Sequence, residues 1–300
     1  MNKTLGIIGS GSMVASQACS QFEKDGTNLV KADLNGLIKI DITNPDSVEA
    51  FFNENNFDYA VLFSAFTDVN GAEKQRDDKE GICWKINVEG LKNVADATYK
   101  FNKKLIFFST DFIFDGTSGP YLEDDPVGTD MQKVGWYSKT KIEGENYIKE
   151  NMKPEDFLII RISFPFSGKD VGKEDFALKT VNLHKSGSLY PMYDDQIITP
   201  TFIPDIAPAL TALIEADKSG IFHLASPETT TPYDFSKYLL SKFEGKDIEV
   251  EKGSLQKQLD EGGIPRPLKS GLKTDKIEQV FKPTTWQEAI DKLIPELKSN

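Results

Sequence analysis

The sequence predicts an α/β protein in which a doubly wound parallel sheet is followed by a smaller C-terminal lobe. In the first 160 residues, short apolar runs alternate with amphipathic stretches, and this pattern changes after residue 163. Strands that are continuously apolar are typical of a parallel sheet covered by helices on both faces. A length of 300 residues allows one large domain or two modest ones.

Five apolar runs in the first half are the predicted strands, and helical patterns lie between them. The strands are TLGII (4–8), NLVKA (28–32), YAVLF (59–63), KLIFF (104–108) and FLIIR (157–161). The helices are expected near 12–24, 46–55, 80–101 and 137–151. Asn44 and Pro45 supply an N-cap and a first-turn proline for the second helix. We therefore assign residues 1–163 to the sheet domain.

The second half is expected to contain both segments that return to the sheet and segments that form a smaller lobe. A helix is expected near 174–186, a second helix at 204–217 and a strand at 220–225. The last helix begins at Thr285, which forms a capping-box pattern with Glu288. We expect residues 197–225 to return to the sheet, and residues 164–196 and 226–300 to form the smaller lobe.

Composition excludes several classes of protein. A net charge of −12 and a pI near 4.8 argue against nucleic acid or an anionic membrane surface as partners. We read no signal peptide, and no apolar run is long enough to cross a bilayer. Cys19 and Cys83 are expected to be buried free thiols, and His184 and His223 have no ligand-spaced neighbours. We expect a cytoplasmic protein without a metal site.

A glycine-rich turn, GSGSMVA (9–15), follows the first predicted strand. Such a turn lets main-chain N–H groups and the positive end of a helix approach a pyrophosphate. Gly9 and Gly11 are present, and the small residues Ser12 and Ala15 occupy later positions where glycine is common. With Met13 at the start of the helix, the turn is a candidate dinucleotide-binding segment.

Acidic residues after the next apolar runs are candidates for the adenosine end of such a cofactor. Asp33 follows the second strand, where a carboxylate can accept hydrogen bonds from a ribose, and Asp41 and Ile42 could reach the adenine. Asp33 would repel a 2′-phosphate, whereas Lys31 and Lys39 could attract one. We therefore expect NADH or NADPH as the cofactor, with NADH at least as good as NADPH.

Tyr137 and Lys141 lie four positions apart at the start of a predicted helix. Spacing alone does not distinguish this pair from three other matches, Tyr99/Lys103, Tyr233/Lys237 and Tyr238/Lys242. Only Tyr137 can lie beside Thr110, which emerges where the fourth predicted strand ends, at the edge of the sheet that binds ligands. A carbonyl that receives hydride needs a proton donor, and a nearby cation lowers the pKa of a tyrosine toward neutrality. These three residues are the candidate catalytic set, in which the Thr110 hydroxyl holds the carbonyl.

Motifs along nearly the whole chain resemble one family. They are FSAFTDVNGAE (63–73), KINVEGLKNVADA (85–97), STDFIFDG (109–116), YSKTKIEGE (137–145), RISFPFSG (161–168), TPTFIPDIA (199–207), GIFHLAS (220–226) and PRPLKSGL (265–272). In combination they are similar to those of the extended short-chain dehydrogenases/reductases, which have a Rossmann sheet, and specifically of the dTDP-4-dehydrorhamnose reductase family.

The resemblance implies a role for each matching residue. Tyr137 would donate the proton, Lys141 would bind the nicotinamide ribose and lower the pKa of Tyr137, and Thr110 would complete the triad. Further cofactor contacts would come from Ser64, Ala65 and Thr67, and substrate contacts in the lobe and beside the triad from Asp111, Phe164 and Arg266. Members of the family commonly carry tryptophan where this chain has Phe164, which affects the choice of sugar.

The leading interpretation is a nicotinamide-dependent reductase of a nucleotide-linked 4-keto-6-deoxyhexose. One alternative is a nucleotide-sugar epimerase or dehydratase of the same superfamily, for which Asp111 could serve as an acid. Another is a non-catalytic regulatory subunit that keeps the fold and binds NAD(P). The expected partner is a nucleotide sugar, and the sequence leaves a homodimer open.

Overall fold

The central feature of the fold is a seven-stranded sheet in which all strands are parallel. A computed structural model describes residues 1–299, and its sheet has the strand order β3-β2-β1-β4-β5-β6-β8. The order reverses between β1 and β4, so the carboxyl ends of these two strands flank a crevice in which ligands of such sheets bind. This confirms the predicted doubly wound architecture.

The strands include every predicted one and three short ones. They are β1 Thr4–Ile8, β2 Asn28–Asp33, β3 Ile38–Lys39, β4 Tyr59–Leu62, β5 Lys104–Thr110, β6 Phe157–Ile162, β7 Met192–Tyr193, β8 Gly220–His223 and β9 Lys252–Gly253. β7 and β9 pair with each other away from the large sheet. The strand expected at 220–225 joins the sheet as β8, beside β6.

Helices cover both faces of the sheet and build most of the second half. The α-helices are α1 Met13–Lys24, α2 Pro45–Glu54, α3 Val69–Glu73, α4 Ile82–Trp84, α5 Leu91–Lys100, α6 Trp136–Asn151, α7 Phe176–Lys185, α8 Ile206–Glu215, α9 Pro232–Glu244, α10 Leu255–Asp260 and α11 Trp286–Ser299. None of these described helices combines the length and the apolar character that a membrane span requires.

One predicted helix, residues 80–101, differs from its expectation because a π-helical turn, Lys85–Gly90, joins α4 to α5. The side chain of Asn87 in this turn accepts a hydrogen bond from Phe66 N at 2.8 Å and donates to Phe66 O at 3.0 Å. Ile42 packs against Gly90, where a Cβ atom would lie 2.7 Å from its side chain. These contacts are made in the wider turn, which explains its departure from regular helix.

The apolar core is divided into clusters on the two faces of the sheet and a separate cluster in the second half. On one face, α1 and α8 pack against the strands, and on the other face α2 and α5 do so. The separate cluster brings together α7, α9 and α11 around Phe166 and Phe235. The second half therefore contributes to the sheet and also has apolar packing of its own.

Candidate active site

A cavity of about 580 Å³ opens at the carboxyl ends of the central strands. Ten of the sixteen candidate residues line it: Gly11, Ser12, Met13, Ala65, Thr67, Thr110, Asp111, Tyr137, Lys141 and Phe164. The glycine turn and the candidate catalytic set therefore face one space. Gly9, Asp33, Asp41, Ile42, Ser64 and Arg266 lie outside this lining.

The glycine turn is held close to the next strand. Gly9 has φ +86°, and a Cβ atom there would lie 2.5 Å from Ser64 Oγ and 2.6 Å from Ser64 N. Only glycine fits this backbone conformation and this approach without a shift. Ser64 thus lies directly beside the turn and supports it, and its contact with a cofactor stays a prediction.

The end of the turn is suited to a diphosphate and a ribose. Ser12 caps α1 by accepting a hydrogen bond from Ala15 N at 3.3 Å, so the N-terminus of a 12-residue helix faces the cavity. Asp33 Oδ2 accepts from Gly11 N at 3.0 Å, and a Cβ atom at Gly11 would lie 3.2 Å from that oxygen. Main-chain N–H groups, a helix N-terminus and a carboxylate are the groups that a dinucleotide requires.

Asp41 and Ile42, which are expected to reach the adenine, lie just after β3. Asp41 is half-buried and its Oδ1 accepts hydrogen bonds from the N–H and hydroxyl of Thr43. The side chain of Ile42 is buried in the core between β2 and α5. That side chain does not line the cavity, so a contact of Ile42 with the adenine would have to come from its main chain.

α6 carries Tyr137 and Lys141 in its first two turns, and both side chains are buried. Lys141 Nζ donates a hydrogen bond to Phe108 O at 2.7 Å and lies 4.0 Å from the centroid of the Phe107 ring. The Tyr137 ring packs edge-on against Phe112. These contacts fix the direction of both side chains at the cavity wall.

Burial has the largest effect on the pKa values of Tyr137 and Lys141. It raises the pKa of Tyr137, the neighbouring Thr110 hydroxyl acts to lower it, and the charge of Asp111 acts to raise it. Burial lowers the pKa of Lys141 to about 7, although Glu145 acts to raise it. Within the protein alone, loss of solvation therefore outweighs the effect of the Thr110 hydroxyl, and the pKa of Tyr137 lies above its usual value.

Thr110 and Asp111 end β5 and form a buried hydroxyl–carboxylate network. Thr110 Oγ1 donates to Asp111 Oδ1 at 3.1 Å, and Ser163 Oγ and Ser270 Oγ donate to Asp111 Oδ2 at 2.9 and 2.6 Å. Asp111 is 1% exposed, and burial raises its pKa to about 6 against these hydrogen bonds. Sequence analysis missed both serines because they lie 52 and 159 residues from Asp111.

The opposite wall of the cavity comes from the loop that follows β6. Phe164 has φ +41° and contacts the rings of Phe112 and Phe176. Lys173 Nζ donates a hydrogen bond to Thr67 Oγ1 at 2.8 Å. The loop thus bridges to the segment after β4, a contact that no sequence pattern indicated.

Arg266 lies at the edge of a second cavity of about 440 Å³, between the loop after β5 and α10. One of its terminal nitrogens donates to Asn70 Oδ1 at 2.8 Å, and its buried Nε has no hydrogen-bond partner within residues 1–299. Lys133 and Lys269 line the same cavity. The arginine therefore bridges α3 to the C-terminal segment and keeps an unused donor.

Comparisons with known proteins identify the family of the chain. A family model described as the RmlD substrate binding domain matches residues 3–299. The chain is 27% identical to the dTDP-4-dehydrorhamnose reductase of Escherichia coli K12 over 269 residues, 86% of this chain and 85% of that protein. It is also 27% identical to a probable low-salt glycan biosynthesis reductase of Haloferax volcanii over 247 residues, 81% of this chain and 78% of that protein.

Solved structures share the fold over almost the whole chain. A dTDP-4-dehydrorhamnose reductase from Clostridium acetobutylicum has a TM-score of 0.84 at 28% identity, covering 98% of this chain and 99% of that one. One from Bacillus anthracis, in complex with NADP, has a TM-score of 0.85 at 23% identity, covering 99% and 100%. Because the family model covers nearly the whole chain, this protein belongs to the RmlD substrate-binding domain family.

Proposed function

We propose that the protein is an NAD(P)H-dependent reductase that acts on the carbonyl of a nucleotide-linked 4-keto-6-deoxyhexose. The observation that supports this best is that Thr110, Tyr137 and Lys141 line the same cavity as the glycine turn. Relatives named dTDP-4-dehydrorhamnose reductase match most of the chain. A dTDP-linked substrate is therefore the first to test.

In this proposal each residue acts on the carbonyl or on the cofactor. Tyr137 donates the proton to the carbonyl oxygen, and the Lys141 ammonium, held by Phe108 O, binds the nicotinamide ribose beside it. When bound, a reduced nicotinamide dinucleotide supplies the hydride, and in its oxidised form it supplies a positive charge that favours the tyrosinate. The turn from Gly9 to Met13 holds the diphosphate, with Ala65 and Thr67 facing it across the cavity.

The smaller lobe binds the sugar nucleotide in this proposal. Residues 164–196 and 226–300 form it, supported by their own apolar cluster, while residues 1–163 and 197–225 form the cofactor domain. Phe164 contacts the sugar, and Arg266 offers a guanidinium to the diphosphate. A cytoplasmic location and a homodimer stay predictions from the sequence.

The test is turnover of NADH and NADPH against dTDP-, GDP- and CDP-linked 4-keto sugars, with wild type and Tyr137→Phe. Removing the phenol hydroxyl should lower kcat by roughly 10²- to 10⁴-fold with little change in cofactor affinity. Tyr99→Phe is the matched control, because Tyr99 has the same four-residue spacing to a lysine but is 63% exposed. Tyr137→Phe activity within about twofold of wild type would contradict the assignment.

Arg266→Lys tests the substrate side separately. A diphosphate can accept two parallel hydrogen bonds from a guanidinium, and an ammonium cannot reproduce that geometry. The KM for the sugar nucleotide should rise by roughly tenfold, about 1.4 kcal/mol, while the KM for the nicotinamide cofactor stays near its wild-type value. If both constants are unchanged, Arg266 only connects α3 to the C-terminal segment and the diphosphate is bound elsewhere.

A further inference from the structure

Basic side chains are scarce in the cavity, although both ligands of the proposed reaction are anionic. A nicotinamide dinucleotide and a nucleotide sugar each contain a diphosphate group. The glycine turn GSGSMVA (9–15) has no basic side chain, so it offers a diphosphate main-chain N–H groups and only the partial charge of a helix N-terminus. Among the described residues that line the cavity, the basic ones are Lys141 and Lys173. Lys141 is buried and is held by Phe108 O, which leaves Lys173 as the second cation.

The charge of Lys173 is not matched by a carboxylate. Its Nζ donates a hydrogen bond to the neutral Thr67 hydroxyl at 2.8 Å, and it forms no ion pair within residues 1–299. The carboxylate of its neighbour Glu174 accepts a hydrogen bond from Asn182 Nδ2 at 2.6 Å instead. An ammonium group has three protons, so two of those of Lys173 have no partner among these residues. The side chain therefore presents a full positive charge at the wall of the cavity.

The loop that carries Lys173 is fixed at its base and open at its tip. At the base, Asp175 Oδ2 accepts hydrogen bonds from the main-chain N–H groups of Ser167 and Gly168 at 2.7 and 2.8 Å. At the tip, Gly172 has φ +85°, and a Cβ atom built on it would have no other atom within 4 Å. A shift of the tip can therefore move Lys173 within the cavity while the base of the loop stays in place.

We propose that Lys173 is a diphosphate-binding residue, whose ammonium leaves the Thr67 hydroxyl when an anionic ligand enters the cavity and pairs with the diphosphate of that ligand. This inference rests on the proposed function, in which the cofactor and the sugar nucleotide each bring such a group. It gives the cavity a cation on the wall formed by the loop after β6, and it ties that loop to the bound ligand. The experiment decides which of the two diphosphates Lys173 binds.

The test is direct binding by isothermal titration calorimetry, with wild type, Lys173→Gln and Lys173→Arg. The probes are NADH for the cofactor and dTDP, GDP and CDP for the sugar nucleotide. Lys173→Gln removes the charge, so the Kd for NADH or for the best-bound nucleoside diphosphate should rise by roughly five- to tenfold. Lys173→Arg keeps a charged donor and should stay within about threefold of wild type. The probe whose affinity falls identifies the diphosphate, and NADH alone decides if no nucleoside diphosphate binds.

Lys169→Gln is the matched control, because Lys169 lies in the same loop but is paired with Glu296 at 3.6 Å and does not line the cavity. It should leave every Kd unchanged. Salt concentration separates an effect of charge from an effect on the loop. Because salt screens charge pairs, raising NaCl from about 50 to about 500 mM should weaken the affected probe more in wild type than in Lys173→Gln.

The outcomes separate this inference from the proposed function, because a Kd is measured without turnover. Kd values of Lys173→Gln within about twofold of wild type for every probe overturn the role of Lys173 and leave the reductase assignment intact. A rise in Kd with an unchanged salt dependence also overturns it, because the residue then acts only by holding the loop. If wild type reduces no 4-keto nucleotide sugar but Lys173→Gln binds NADH more weakly, the proposed function fails and the role of Lys173 stands. A wild type that binds none of the probes overturns both.

Discussion

In the proposed function, the Asp33 carboxylate at the carboxyl end of β2 is the group that meets the adenosine ribose. It is half-buried, and Oδ2 is held by Gly11 N at 3.0 Å while Oδ1 accepts from Asn35 N at 3.3 Å. An oriented carboxylate can accept from ribose hydroxyls and repels a 2′-phosphate. The side chain of Lys31, one of the two lysines that could attract that phosphate, is instead paired with Glu23.

We predict that kcat/KM with NADH is at least as high as with NADPH, and that Asp33→Asn raises the NADPH/NADH ratio by roughly tenfold, about 1.4 kcal/mol. Asp46→Asn, which removes an exposed carboxylate at the start of α2, should leave the ratio unchanged. Steady-state kinetics with both cofactors give the ratio. A strong wild-type preference for NADPH would show that Asp33 does not face the ribose.

Among the elements, α6 has its N-terminus capped by a residue that is distant in the sequence. Gly135, the N-cap residue, has no side chain to cap the helix, and Glu73 Oε2 instead accepts from Trp136 N at 2.9 Å. Arg76 pairs with the other oxygen of Glu73 and also donates to Val134 O. A carboxylate at a helix N-terminus accepts a hydrogen bond from a free N–H group, and its negative charge interacts favourably with the positive end of the helix dipole.

Glu73→Ala should therefore lower the free energy of unfolding by about 1 kcal/mol, the usual cost of a lost cap, and reduce kcat by moving Tyr137. Glu73→Gln keeps an acceptor oxygen and should fall between wild type and Glu73→Ala in both measurements. Glu143→Gln, on the exposed face of the same helix, is the control. Urea unfolding and kcat are the readouts, and a Glu73→Ala protein that matches wild type in both would contradict this role.

The elements differed in how far the sequence could predict them. The strands of the large sheet, except the two-residue β3, were predicted because each contains a short run of consecutive apolar residues. The capping box at Thr285 is present, with hydrogen bonds of 3.3 Å in both directions. The π-helical turn was not predictable, because it depends on Asn87 reaching the main chain of Phe66. Asp111 was a candidate, but its hydroxyl partners come from segments that only the tertiary fold brings together.

Across the whole molecule, His223 connects β8 to both halves of the chain from a fully buried position. Nδ1 lies 3.1 Å from Lys273 O, and Nε2 lies 3.3 Å from an Arg161 terminal nitrogen. A carbonyl only accepts and a guanidinium only donates, so the ring is neutral with its proton on Nδ1. Burial, and then the charge of Arg161, lower its pKa from 6.5 to about 3.

The folded pKa of His223 is below its unfolded value, so its contribution to stability is fully present above about pH 6.5 and is lost as the pH falls toward 3. This contribution is on the order of 3 to 5 kcal/mol. In His223→Gln, which can still donate to Lys273 O and accept from Arg161, the decline in unfolding free energy between pH 6.5 and 4 should be smaller. Urea unfolding across this range gives the comparison with wild type.

His184→Gln is the matched control, since His184 lies on the surface beside Glu244. Its unfolding free energy should decline with falling pH as steeply as that of wild type. If His223→Gln loses stability just as steeply, then the acid sensitivity of the protein arises from its carboxylates and not from this ring.

The position of β8 in the sheet also affects when the sheet can be completed during protein synthesis. β8 pairs with β6, but residues 163–219 separate the two strands in sequence. At about 5–20 residues per second, a ribosome needs roughly 3 to 11 seconds to synthesise that stretch. During this interval the outer edge of β6 has unpaired N–H and C=O groups that another chain could bind. Completion of the sheet must therefore wait until the ribosome has released residue 223, however early the first strands assemble.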